Sequence, residues 1–236
     1  MEELDKDRAA LGWFTAAWDD YLASLPAVLP VVLAQALASA GTFAIVHRAH
    51  SFLYALPYMF LVLTPLSLGV NLFYIRLTRG NGAFGDLFGA FPVYPRALAV
   101  SLLLGIASAT GMLLLIIPGA VVYLTYAFSE YAVVDKRTGV RDSFNFSAAL
   151  TYGWRTRLLP VFLLAGLVNF FVPDVYVISG PFKSPVAELD LKPWTLAAAA
   201  LKTLVFLPWL GLAAARAYNF LLAPRPPDPG PEPGDD

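Results

Sequence analysis

Residues Ala97 to Ser129 read ALAVSLLLGIASATGMLLLIIPGAVVYLTYAFS, and these 33 residues include no charged side chain. Only Pro118 and Gly119 interrupt the apolar run. A single helix of this length would measure about 50 Å, whereas the hydrocarbon core of a bilayer is roughly 30 Å thick. The stretch therefore predicts two membrane-spanning helices joined by a tight turn, within an all-α, polytopic transmembrane helical bundle.

The composition of the whole chain favours the same class. Of its 236 residues, 58% are hydrophobic and 14% are charged, and the mean hydropathy is +0.64. Soluble domains carry about 25% charged residues. The chain has no cysteine, which excludes disulfides, thiolate metal sites and thiol catalysis. Its net charge of -1 provides no general attraction to nucleic acid, so no nucleic-acid partner is expected.

Six spans are predicted within a single transmembrane domain that covers residues 1–222. They occupy approximately residues 27–46, 52–75, 97–117, 119–134, 158–177 and 194–215. Prolines within these stretches should start, end or kink helices, because proline lacks the amide hydrogen that the helix ladder needs. Residues 223–236, APRPPDPGPEPGDD, cannot bury enough apolar surface to offset the entropy of ordering, so we expect a disordered, proline-rich acidic tail.

The distribution of lysine and arginine predicts the orientation of the spans. Six spans would leave only Arg48, Lys183 and Lys192 on one side and place Lys202 inside a span. If residues 97–134 formed one kinked helix, the basic residues would divide seven to eight and give no bias. Because basic residues concentrate on the cytoplasmic side, we expect both termini in the cytoplasm. The cytoplasmic side would carry Lys6, Arg8, Arg76, Arg79, Arg96, Lys136, Arg137, Arg141, Arg155, Arg157, Arg216 and Arg225.

Three amphipathic segments outside the spans are predicted to lie at the membrane interface, at residues 7–24, 84–91 and 140–157. Trp13 and Trp18 of the first segment would act as interface anchors. Membrane anchoring is the simpler interpretation, and docking of a partner is the alternative. The predicted apolar faces comprise Leu11, Phe14, Trp18, Tyr21, Leu22 and Leu25 in the first segment, Phe84, Leu87, Phe88 and Phe91 in the second, and Phe146, Ala149, Leu150, Gly153 and Trp154 in the third.

Ionisable residues inside the predicted spans are candidates for function, because an unpaired charge in hydrocarbon is costly. Asp174 and Lys202 fall at similar depth near one end of their spans, and Glu130 and Arg216 fall at similar depth near the other end. We therefore expect two structural ion pairs, Asp174 with Lys202 and Glu130 with Arg216. A solute or proton pathway that uses the same residues is the alternative.

The third span has a pattern that is typical of helix packing. Ser101, Gly105 and Ala109 recur every four residues. Small residues at this spacing let two helices approach closely, so the face is expected to contact another span of the chain. Self-association through this face is the weaker alternative.

The loop between the fourth and fifth spans is basic. A basic residue near an anionic leaflet contributes about 1 kcal/mol to lipid binding. The candidate contacts with anionic lipid are Lys136, Arg137, Arg141, Arg155 and Arg157.

No pattern indicates catalysis. Gly80, Gly82 and Gly85 spell G-x-G-x-x-G, but they follow a predicted span rather than a strand, which favours a turn over nucleotide binding. His47 and His50 lie in a short loop, where a metal site would need a further ligand. We expect no enzymatic activity, no cofactor and no metal.

An ordered set of short motifs runs through residues 61–164. In this order the motifs resemble a broad bacterial and archaeal group of six-span membrane proteins of unknown function, related to the membrane domain found beside some glycerophosphodiester phosphodiesterases. The resemblance implies a fold and a compartment, the prokaryotic cytoplasmic membrane, but no activity. The motifs are Pro65-Leu66-Ser67-Leu68-Gly69, Arg79-Gly80, Asp86-Leu87-Phe88, Leu115-Ile116-Ile117-Pro118-Gly119, Phe128-Ser129 with Tyr131, and Ser147, Leu150 and Gly153.

The sequence favours a non-enzymatic membrane protein that organises lipid or holds a partner. Its interfacial aromatic segments and its basic loop are the most developed features outside the spans. The expected partners are membrane lipids, and also another membrane protein or a second copy of the chain. The alternative is a small-solute transporter or channel, which would require the buried polar residues to line one cavity.

Overall fold

The structure, a computed structural model, describes residues 2–223, without the side chains of residues 2–8, 114 and 116. The predicted tail lies outside the described residues, except for Ala223. Residues 2–223 form a helical bundle with a β-hairpin. Its elements are α1 (Glu2–Ala23), α2 (Leu25–Ala49), α3 (Phe52–Leu77), two short 3₁₀ turns (Phe84–Phe88 and Phe91–Val93), α4 (Tyr94–Leu114), α5 (Ile116–Tyr126), α6 (Ser129–Lys136), α7 (Val140–Thr151), α8 (Arg155–Phe171), β1 (Tyr176–Ser179), β2 (Val186–Leu189) and α9 (Pro193–Leu222).

Within residues 2–223, five helical segments are long and apolar enough to cross a membrane. This confirms the predicted all-α bundle and is typical of a multi-pass membrane protein. Four of the five contain the predicted spans that begin near residues 27, 52, 119 and 194, and the remaining one contains most of the span predicted at residues 97–117. The five segments are Leu25–Ala49, Phe52–Leu77, Phe84–Leu113, Ile117–Lys136 and Pro193–Leu222.

The span predicted at residues 158–177 is wrong at its carboxyl end. α8 stops at Phe171 after 17 residues, which is about 25 Å. Pro173 cannot donate to the helix ladder, and the chain then turns into the strands β1 and β2. These strands pair antiparallel, with Tyr176 opposite Leu189. The fifth predicted span is therefore a shorter helix followed by an unpredicted hairpin.

The bundle has two ends that differ in chemistry. At the hairpin end, β1 and β2 cover the end of α2, where His47 Nδ1 lies 3.0 Å from the carbonyl oxygen of Ala187. At the opposite end, named here the arginine end, Arg79 forms an ion pair with Asp135. α8 starts at the arginine end, where Trp154 packs against the last turns of α9, and it finishes beside the hairpin. It thus connects both ends of the bundle.

The 33-residue apolar stretch folds as two helices, as predicted, but the break is at Leu115. This residue has an extended backbone, with φ -161° and ψ 136°. Pro118 instead lies in the first turn of α5, where the amide hydrogens have no partner within the helix. α4 and α5 then pack closely, because a Cβ on Gly111 would lie only 2.8 Å from Cα of Gly119.

Two of the long helices contain a π-helical turn followed by proline. Met59–Leu63 precedes Pro65 in α3, and Lys202–Phe206 precedes Pro208 in α9. The sequence Leu-Val-x-x-Pro occurs at both places, at residues 61–65 and 204–208. Each proline lacks an amide hydrogen and so leaves a carbonyl free. Tyrosine hydroxyls satisfy such carbonyls, since Tyr94 donates to Phe60 O and Tyr21 Oη donates to Leu204 O at 2.7 Å.

Hydroxyl side chains of α7 support the break between α5 and α6. Ser147 Oγ donates to the carbonyl of Thr125 at 3.0 Å and accepts from the amide of Phe128 at 3.1 Å. Thr151 Oγ1 donates to the same carbonyl at 3.0 Å. The buried face of α7 is thus the stripe Ser143, Ser147 and Thr151.

The apolar face predicted for residues 140–157 packs against the core only in part, through Phe146, Leu150 and Trp154. Small hydroxyl residues fill the innermost side of α7. Ala149 is exposed, whereas Phe146 and Leu150 are half-buried. The helix also ends at Thr151, so Trp154 belongs to the following turn, where it is buried.

α1 is a helix, as predicted for residues 7–24, but it packs along α9. Its buried face is Trp13, Ala17 and Tyr21. Trp209 Nε1 donates to the carbonyl of Phe14 at 2.9 Å. The predicted anchoring role is therefore wrong for Trp13, which is only 4% exposed, whereas Trp18 remains 39% exposed.

The packing face predicted for Ser101, Gly105 and Ala109 is wrong. Gly105 and Ala109 are exposed, and a Cβ on Gly105 would meet nothing within 4 Å. The face of α4 that packs is rotated by one residue, so that Leu104 and Ser108 are buried. Ser101 is half-buried and hydrogen-bonds Glu130.

Candidate functional site

The polar residues of the long helices converge on two adjoining cavities inside the bundle. The central cavity has a volume of about 850 Å³ and lies among α2, α3, α5, α6, α8, the hairpin and α9. The side cavity has a volume of about 310 Å³ and lies among α2, α3, α4 and α6. The two share Gln35, Ser39 and Ser67. The central cavity is also lined by Asn71, Tyr74, Tyr123, Tyr131, Asn169, Asp174, Tyr176, Lys202 and Thr203, and the side cavity by Thr64, Ser101 and Glu130.

Asp174 and Lys202 form the predicted ion pair at the hairpin end of the central cavity. Lys202 Nζ lies 3.0 and 3.1 Å from the two carboxylate oxygens. The ammonium also donates to the carbonyls of Asn169 at 3.3 Å and Val172 at 3.1 Å. In a continuing helix the carbonyl of Asn169 would accept a hydrogen bond from the amide of residue 173, but Pro173 has no amide hydrogen. Lys202 therefore caps α8 while its side chain is only 4% exposed.

The predicted pair of Glu130 with Arg216 is wrong. The guanidinium of Arg216 instead binds Asp20 of α1, with both N···O distances 2.5 Å. Glu130 lies in the wall of the side cavity and accepts a hydrogen bond of 2.6 Å from Ser101 Oγ. The two residues lie at similar depth, but they point to different sides of the bundle.

A polar network at the arginine end joins α3, α6 and α9. Arg79 binds both carboxylate oxygens of Asp135 at 2.6 and 2.8 Å, and its Nε donates to Asn219 Oδ1 at 2.9 Å. The hydrogen bond to Asp135 raises the pKa of the Arg79 guanidinium above its ordinary value. Sequence reasoning missed this pair, although Arg79 and Asp135 directly follow two spans that end on the same predicted side.

The predicted lipid contacts differ in exposure. Lys136, Arg137 and Arg141 are exposed, and the ammonium of Lys136 also lies over the ring of Phe146 at 5.2 Å. Arg155 and Arg157 are half-buried. The second amphipathic segment turns Phe84, Phe88 and Phe91 outward, each more than 40% exposed, while Leu87 is buried.

The chain matches no protein-family model, no curated protein and no solved structure. The resemblance stated above therefore stays a prediction. Several of its residues do have structural roles here. A Cβ on Gly69 would lie 1.8 Å from the carbonyl oxygen of Leu87, and Arg76 pairs with the buried carboxylate of Asp86. Ser147 satisfies the helix break between α5 and α6.

Proposed function

We propose that the protein binds a small polar solute in the central cavity and carries it across the membrane. The observation that supports this proposal is the convergence of polar groups from seven elements on one cavity. A volume of about 850 Å³ is within the range of small-molecule sites. Polar side chains inside membrane segments are costly and usually line a substrate or ion pathway.

The distribution of polarity in the cavity fits a solute rather than a lipid tail. Gln35, Asn71 and Asn169 offer amide groups from α2, α3 and α8. Asp174 is half-exposed at the hairpin end and gives the cavity a charged mouth. The π-helical turn that begins at Lys202 forms part of the wall, and such turns often occur at functional sites.

The absence of cysteine allows a direct test with single-cysteine variants. Ser39→Cys and Ser67→Cys place a thiol in the wall that both cavities share. Ala109→Cys is the matched control, because Ala109 is exposed on α4 and lines neither cavity. A charged, membrane-impermeant thiol reagent would be applied to either side of proteoliposomes of known orientation.

We expect the cavity thiols to react at least about tenfold faster than the control, because only a hydrated thiol ionises to the reactive thiolate. Reaction from both sides would support transport, whereas reaction from one side only would reduce the proposal to solute binding. Equal, slow reaction of all three thiols would contradict a hydrated cavity. Retention of the same elution volume in size-exclusion chromatography would show that the variants fold.

The lipid-organising role favoured by the sequence remains a second candidate. The exposed cations and the outward-facing phenylalanines favour it. We expect replacement of Lys136, Arg137 and Arg141 by glutamine to reduce the anionic lipid retained by the protein in native mass spectrometry. Each basic group near the surface contributes about 1 kcal/mol. Lys183→Gln on the exposed hairpin is the control. Unchanged retention of lipid would contradict this role.

The compartment and orientation complete the proposal. The basic arginine end would face the cytoplasm of a prokaryotic cell, and the hairpin end would face outward. Membership in the six-span group that the central motifs resemble would agree with this arrangement. The cavities, rather than a catalytic centre, carry the proposed activity, and the proposal includes no enzymatic step.

A further inference from the structure

Two oxygen-bearing groups in the side cavity have fewer hydrogen-bond partners than they can accept. The carboxylate of Glu130 receives one hydrogen bond, from Ser101 Oγ at 2.6 Å. Among the side chains that the structure describes, no lysine, arginine or histidine pairs with it. Gln35 Oε1 is buried and has no hydrogen-bond donor within the same part of the chain. A positive charge between the two groups would satisfy both.

The remaining polar side chains of the wall carry hydroxyl groups. Ser39 and Ser67 contribute hydroxyl groups from α2 and α3. Thr64 follows the π-helical turn and directs its hydroxyl hydrogen to the carbonyl of Met59 at 2.9 Å, which leaves its oxygen lone pairs available. Carboxylate, amide and hydroxyl oxygens are the ligands that hard cations prefer.

We propose that the side cavity binds one monovalent alkali cation, with Glu130 as the charged ligand and Gln35 Oε1 and the neighbouring hydroxyls as neutral ligands. One carboxylate balances one positive charge, whereas a divalent ion would keep an excess charge in a medium of low dielectric constant. The volume of about 310 Å³ has room for the cation and several waters, since a water molecule occupies about 30 Å³.

This site goes beyond the proposed solute cavity, although the two cavities share Gln35, Ser39 and Ser67. A cation bound here would contact the same side chains that a solute in the central cavity contacts. Cation occupancy would therefore change the affinity for the solute, and the solute would change the cation affinity by the same factor.

The test uses the purified full chain in detergent and measures its melting temperature in sodium, potassium and choline chloride at equal ionic strength. A ligand of the folded state at 100 times its Kd raises the melting temperature of a protein of this size by about 5–10 °C. We expect a saturable rise with sodium or potassium over choline. We also expect Glu130→Gln to lose that rise, while Glu188→Gln, an exposed control on β2, keeps it.

Two further measurements keep the result decisive. If Glu130→Gln does not fold, Glu130→Asp should retain the rise with at least a tenfold weaker half-saturating concentration. Broadening of the ²³Na resonance by the wild-type protein, reversed by potassium, would report binding without any variant. Equal melting in all three salts and no broadening would mean that Glu130 is a neutral carboxylic acid, and would overturn the site. If the cation test failed in this way but Ser67→Cys reacted with the thiol reagent, only the cation site would be contradicted, and the proposed solute site would be retained.

Discussion

Gly69→Ala is expected to lower stability more than any other single methyl addition to α3. The new Cβ would lie 1.8 Å from the carbonyl oxygen and 2.9 Å from Cα of Leu87. Because these atoms belong to the backbone, neither can move aside without displacing the turn that holds Asp86. We expect a loss of about 3 kcal/mol or more, which is a large part of a typical total of 5–15 kcal/mol.

Gly105→Ala is the matched control for that experiment. Gly105 also lies in the middle of a spanning helix, but its Cβ would meet nothing within 4 Å. Alanine there reduces the entropy of the unfolded chain, so stability should be unchanged or slightly higher. Melting temperatures and the monodisperse fraction in detergent would be compared. Similar melting of the two variants would contradict the close approach of α3 and the turn.

The length of the apolar stretch predicted two helices correctly, because bilayer thickness limits a spanning helix and no local detail is needed. The position of the break could not be predicted in the same way. Proline ends a helix when it follows the helix, but it also fits the first turn of a new helix, and Pro118 does the latter. The choice at Leu115 depends on the contact of Gly111 with Gly119, which is tertiary.

Depth along a helix predicted one ion pair correctly and one incorrectly. It fixes the height of a residue in the bundle, but it does not fix its direction around the helix axis or the identity of the neighbouring helix. Asp174 and Lys202 share both height and neighbourhood, whereas Arg216 faces α1 and pairs with Asp20. For the same reason the predicted packing face of α4 differs from the observed face by one residue, with Gly105 predicted and Leu104 buried.

The hairpin and the cavities were missed for different reasons. Tyr176–Ser179 is mostly apolar and includes β-branched residues, so a count of apolar residues extends the span over it. The preceding Pro173 indicates that the helix ends before this stretch. The cavities depend on where several helices and the hairpin leave space, which no local pattern encodes. The polar residues that line them, including Gln35, Glu130 and Asn169, were visible in the sequence, but their convergence was not.

The second large effect is expected at the Asp174–Lys202 pair, where the two partners should respond unequally. Asp174→Asn would leave the ammonium of Lys202, 4% exposed, without its counter-charge. Removing one partner of a buried pair costs about 3 kcal/mol or more, because the remaining charge stays desolvated. Lys202→Met would leave Asp174, which is 50% exposed and can be hydrated, so its cost is limited to the lost cap of α8. We expect about 1–2 kcal/mol for that variant.

The double variant Asp174→Asn with Lys202→Met separates the effect of an unpaired Lys202 charge from the effect of losing the cap of α8. It removes the stranded ammonium, so it should melt above Asp174→Asn and close to Lys202→Met, which gives a coupling energy of at least about 1 kcal/mol. Lys192→Met is the control, because Lys192 is exposed and pairs with Asp190 at 3.5 Å. If Asp174→Asn melted above Lys202→Met, the carboxylate would not be neutralising a buried lysine. The capping of Asn169 and Val172 would then be the whole structural role of Lys202.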